Sequence, residues 1–312
     1  MHDSPDLDGP ATADPSRAEA PAGTLDWITG TDWAKGAVEQ DGHTLVYTDL
    51  GPTDGPVILL VHGLMSDSTT WARPARLLAA AGFRVIAPDL LGHGESSKPV
   101  DGGYLLPDFA ETLHRLLDEL GTGPVTVVGH SLGGAVVMQL AGDHPQLVRR
   151  LVLVSAGGLG RRVHAVFRAA ALPGAHPLVR LALNQRTAGL LSRPRLHRSL
   201  RLSDDVLANL GRAGRGLVTP DGRAAFFQTL RGAIGPAGQR GSMIELDYLP
   251  RSMPTLILWS AGDPIVPVAH GYQLHAHLPA SRLEVFPGAS HQPHHLHAER
   301  FAAAVTDFVR TT

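Results

Sequence analysis

Apolar residues fall along the chain in two alternating rhythms. Residues 57–61 (VILLV) are an unbroken apolar run between Pro56 and His62-Gly63, with the length and branching of a strand buried on both faces. Comparable runs at 84–89, 125–129, 151–154, 255–259 and 282–286 predict further strands, and the alternation of 43–49 (HTLVYTD) predicts a half-buried one ahead of them. Helical spacing of apolar positions covers 72–81, 107–120, 131–143, 268–278 and 297–309. Strands alternating with helices of about 10–15 residues predict an α/β fold with a mainly parallel sheet covered on both faces.

The alternation stops between 158 and 250, where the sequence is helical in propensity, broken by Gly and Pro, and without a strong strand signal. A helical insertion after the fourth or fifth crossover accounts for it. Residues 1–23, rich in Ala, Pro and Asp without a hydrophobic period, predict a disordered tail. The expected organisation is therefore a tail over 1–23, a core over 24–157 and 251–312, and the insertion over 158–250.

Composition narrows the function classes. A hydrophobic share of 43% in 312 residues supports a large core and excludes disorder across the whole chain. No apolar stretch reaches the roughly 18 residues of a membrane span. The acidic, proline-containing start has neither a basic n-region nor an apolar h-region, which predicts a cytoplasmic protein. The absence of cysteine excludes disulfides, a thiolate nucleophile and cysteine metal sites. A net charge of -2 gives no general attraction to nucleic acid or anionic lipid. That charge is unevenly spread: the insertion holds 14 Arg, no Lys and five acidic residues, a net +9. These arginines read either as solvated helix faces or as the lining of a pocket for an anionic substrate or partner.

Chemistry concentrates at Gly129-His130-Ser131-Leu132-Gly133, which fits G-x-S-x-G and lies between a buried strand and an Ala/Val/Leu helix. A tight strand-to-helix turn there lifts the serine hydroxyl to the carboxyl edge of the sheet, and the flanking glycines leave room for the crossing chain. The N-terminus of the following helix favours developing negative charge at the same place. A nucleophilic serine needs a base, an orienting acid and an oxyanion site. His291 follows the strand ending at 286 and Asp263 the strand ending near 259, so the chain order is Ser131, Asp263, His291. The oxyanion donors are expected to be the backbone N–H groups of Leu132 and of Leu64, the latter in the loop after residues 57–61. His62 reads as a structural hydrogen-bonding histidine. His291, His294, His295 and His297 cluster, but Pro293 interrupts them and no cysteine or acid completes a set, so no metal is expected.

Five landmarks in order carry a resemblance: Val61-His62-Gly63-Leu64, Asp89-Leu90-Leu91-Gly92-His93-Gly94-Glu95-Ser96, Gly129 to Gly134, Gly262-Asp263-Pro264, and Gly288-Ala289-Ser290-His291. The sequence resembles the α/β-hydrolase fold superfamily, in its branch of capped serine hydrolases. The resemblance implies an eight-stranded, mostly parallel sheet, a helical cap over about 158–250, and a Ser131-Asp263-His291 triad without a cofactor. Within the branch the chain is similar to esterases and lactonases, near the carbon–carbon bond hydrolases of meta-cleavage pathways. Those enzymes usually carry Asn where this chain has His130 and Trp where it has Gln292. Ser131 replaces the aspartate of epoxide hydrolases and haloalkane dehalogenases, and Tyr248 is the only tyrosine in the insertion. The expected substrate is a small-molecule ester or lactone. Cleavage of a diketone, acyl transfer, perhydrolysis and non-catalytic binding are the alternatives.

Overall fold

The computed structural model describes residues 33–175, 219–244 and 252–312, with positions 177, 217 and 249. The expected tail, residues 24–32 of the expected core and much of the insertion lie outside the described residues.

The main sheet contains β1 (Ala34–Gln40), β2 (His43–Leu50), β3 (Val57–Val61), β4 (Arg84–Pro88), β5 (Val125–His130), β6 (Val148–Val154), β7 (Thr255–Ser260) and β8 (Arg282–Phe286). Its order is β1-β2-β4-β3-β5-β6-β7-β8; β2 pairs antiparallel with both β1 and β4, and every other pairing is parallel. β1 is an addition to the expected strands. Only Val38 in it is buried, so it lacks an apolar run, and a two-residue turn at Asp41 and Gly42, both with positive φ, folds it back onto β2.

Successive side chains of the central strands enter opposite cores. Leu59 and Val61 pack with Phe109, Leu113, Val136 and Leu140 on one face. Ile58 and Leu60 pack with Trp71, Leu78, Phe301 and Val305 on the other. That two-sided burial explains the unbroken apolar runs. The covering helices are α1 (Ala72–Ala80), α2 (Leu106–Glu119) and α3 (Leu132–Asp143) before the insertion.

Between β6 and β7 the described residues form α4 (Ala165–Ala170), α5 (Pro220–Ala233) and a short antiparallel ladder pairing Ile234–Gly235 with Gly238–Gln239. The ladder departs from the purely helical expectation; two residues per strand are too few to show a period. After β7 come α6 (Ala269–His277), α7 (Pro293–Leu296) and α8 (Ala298–Thr311). The helix expected from 297 begins at Ala298, because His297 (φ -124, ψ 51) separates α7 from α8. Among the described residues no helix is long and apolar enough to cross a membrane.

Candidate active site

Ser131 joins β5 to α3 with φ 54 and ψ -117, a conformation that costs a non-glycine residue about 1–3 kcal/mol and persists only where its surroundings enforce it. Its N–H donates to Val154 O at 3.1 Å, while its carbonyl accepts from Gly134 N at 3.0 Å and Gly157 N at 2.8 Å. The turn is thus tied to the end of β6 and to the chain just beyond. The neighbouring glycines fill a steric need: a Cβ on Gly133 would overlap the carbonyl oxygens of Val61 and His62, and one on Gly129 would overlap Gly133.

Two further loops at the same sheet edge bring in Asp263 and His291. Asp263 follows β7, and its side chain is fully buried. Its Oδ1 accepts from the backbone N–H groups of Ile265 at 2.8 Å and Val266 at 3.0 Å. His291 follows β8, with Nδ1 2.8 Å from Asp263 Oδ2 and 3.0 Å from Oδ1. Because Nδ1 faces a carboxylate, it carries the proton, leaving Nε2 as the basic nitrogen. That Nε2 is buried and has no hydrogen-bond partner among the described residues. His130, beside the serine, points back at this loop: its Nε2 donates to His291 O at 2.7 Å, and the two rings lie 4.8 Å apart.

Leu132 opens α3, so its N–H has no helical carbonyl four residues behind it. Leu64 lies just past β3, in a loop held from two sides. The His62 ring accepts from Leu90 N at 3.0 Å through Nε2, which leaves Nδ1 to donate to Gly63 O at 2.8 Å. Asp89 accepts from Ser68 N through Oδ1 and from Glu95 N through Oδ2, both at 2.7 Å. His93 lies beside His62, with ring centroids 5.1 Å apart; burial lowers its imidazole to about 3, so it is neutral.

Ser131, Leu132, Leu64 and His291 line one cavity of about 530 Å³. Its far wall comes from the chain between β6 and β7, through Val163, Phe167, Ala233 and Ile234. Gln239 fastens that wall by accepting from Gly158 N at 2.7 Å and donating to Arg162 O at 3.1 Å. Sequence reasoning missed both Gln239 and the role of His130. A lone glutamine carries no local signal, whereas His130 stands next to Ser131 in the G-x-S-x-G pattern.

The arginine question has a mixed outcome among the described residues. Arg240 lines the cavity, with Nε donating to Arg231 O at 2.7 Å. Arg161, Arg162 and Arg168 line an adjoining cleft of about 320 Å³ that shares Val163, Pro264 and Ile265 with the cavity. In the histidine cluster, His291 precedes α7 and is held by Asp263, while His294 is buried against Trp71, ring centroids 4.3 Å apart.

A family model for the alpha/beta hydrolase fold matches residues 56–298. The sequence is 43% identical over 263 residues to an uncharacterized protein of Mycobacterium tuberculosis, covering 83% of this chain and 76% of the other. It is 32% identical over 266 residues to 2-hydroxymuconate semialdehyde hydrolase of Pseudomonas putida, covering 82% and 88%. The structure of an esterase from Rhodococcus superposes with a TM-score of 0.67 at 25% identity, covering 89% of this chain and 98% of the other.

Proposed function

We propose that this chain, which belongs to the alpha/beta hydrolase fold family, hydrolyses a carboxylic ester or lactone through an acyl-enzyme formed on Ser131. The observation that carries this reading is the state of His291. One ring nitrogen is held by a buried carboxylate, and the other has no partner among the described residues, in the part of the fold where Ser131 and His291 line one cavity.

In this reading His291 Nε2 takes the hydroxyl proton as Ser131 Oγ attacks the carbonyl carbon. The C=O π pair moves onto oxygen, and the N–H groups of Leu64 and Leu132 hold the resulting oxyanion. Collapse expels the alcohol, which leaves with the proton from His291. A water then gives a proton to His291 and attacks the acyl carbon; the acyl–Oγ bond breaks, His291 returns that proton to Ser131 Oγ, and the acid leaves. Asp263 stays ionised and stabilises the imidazolium. The mostly apolar lining suits a neutral acyl group, and the segment between β6 and β7 acts as a cap that limits its size.

The similarity to 2-hydroxymuconate semialdehyde hydrolase, together with the arginine-lined cleft next to the cavity, favours one second reading: carbon–carbon cleavage of an anionic diketone. A fluorophosphonate probe and a panel of p-nitrophenyl esters, lactones and one dienone diketone test both. The expected result is covalent labelling and ester or lactone turnover, both lost in Ser131→Ala. Diketone cleavage without ester turnover selects the second reading, and an unlabelled, inactive wild type overturns both.

A further inference from the structure

Glu111 and His114 sit one turn apart on α2, and His144 immediately follows α3. The two helices pack against each other, so core packing fixes the distances between these three side chains. Glu111 Oε2 lies 3.4 Å from His114 Nδ1 and 3.4 Å from His144 Nε2. Both gaps exceed the 2.9–3.0 Å typical of an N–H···O hydrogen bond. They match the edge, about 3.3–3.4 Å, of a tetrahedron with the 2.0–2.1 Å bonds of a zinc ion.

The three ligand atoms all lie within 4.8 Å of one another, and the imidazole centroids are 4.0 Å apart. A bound ion would draw the two ring nitrogens to the same edge length and complete one face of the tetrahedron. The second carboxylate oxygen, Oε1, accepts from Arg115 Nε at 2.9 Å, and Arg115 also pairs with Asp41. That contact fixes the carboxylate's orientation, as partners behind metal ligands do. All three side chains are partly exposed, which leaves an entry path and a position for water.

We propose that Glu111, His114 and His144 bind a first-row divalent transition-metal ion, Zn²⁺ by donor type, with water as the fourth ligand. The ion cross-links α2 to the end of α3. The 12 residues of α3 put His144 about 18 Å along the helix from the Ser131 end. The site therefore acts on stability and not on the reaction, and it stands whatever the substrate.

Calorimetric titration of the metal-stripped full chain with Zn²⁺ tests the proposal, alongside His114→Ala, His144→Ala and a His295→Ala/His297→Ala control. The expected result is one saturable site that is weakened about tenfold or more in each of the first two variants and kept in the control. Zn²⁺ should raise the unfolding temperature of the wild type and not of those variants. The d–d absorption of bound Co²⁺ should report a tetrahedral site that both variants lose. Absence of saturable binding, or loss that follows the control, overturns the assignment.

Discussion

Asp263 holds His291 with both carboxylate oxygens, at 2.8 and 3.0 Å from Nδ1, while the same Oδ1 accepts two backbone N–H groups. The acid is thereby fixed before substrate arrives. In Asp263→Asn, the amide oxygen takes the Oδ1 position to keep the bonds from Ile265 and Val266, which turns the NH₂ toward His291. Nδ1 must then accept, the ring proton moves to Nε2, and the proposed base is lost. Turnover should fall about 10³–10⁴-fold. Steady-state kinetics beside a thermal melt checks it, with the melting temperature close to wild type.

Gly133→Ala forces a methyl group against the carbonyls of Val61 and His62. Either α3 or the loop carrying Leu64 must retreat, which separates the two proposed oxyanion donors. The variant should lose about 1–3 kcal/mol of stability. At temperatures where it is still folded, kcat should fall more than KM rises. Urea unfolding and ester kinetics read the two effects.

Asp89 ties the Leu64–Ser68 loop to the turn at Glu95. Asp89→Ala strands the buried Ser68 N–H, a loss of about 1–3 kcal/mol. Asp89→Asn retains one acceptor and should recover part of it. Chemical denaturation of the pair of variants distinguishes hydrogen bonding from packing.

His93 is buried and neutral, with its pKa lowered to about 3 mainly by desolvation. The unfolded chain binds a proton below about 6.5 and the folded chain does not. Stability from this group is therefore complete above about pH 6.5 and is lost as pH falls toward 3, by up to about 1.4 kcal/mol per unit. Unfolding measured between pH 7.5 and 5 should show that slope, and His93→Asn should flatten it. An unchanged slope in the variant rules the residue out as its source.

Legibility followed burial. β3, β5, β6 and β7 are readable because each is covered on both faces over its middle, which requires a run of consecutive apolar residues there. β1 was not, since it lies at the sheet edge with one buried side chain, although Asp41-Gly42 is a hairpin signal in plain view. The turn at Ser131 is legible because its strain demands a local glycine pattern. The clamp from His130 and the bridge from Gln239 were not, because each depends on where a distant backbone lies.

The sequence by itself determined the order of strands and helices and the turn at Ser131, since both follow from interactions among near neighbours. It also offered His291 and Asp263 as residues that leave the sheet at a common edge. Only the tertiary structure decided that these two meet within hydrogen-bond distance, that one cavity opens beside Ser131, and that Glu111 and His114 face His144. Such contacts depend on distances of a few tenths of an ångström, which the packing of helices on the sheet sets and which no local pattern encodes.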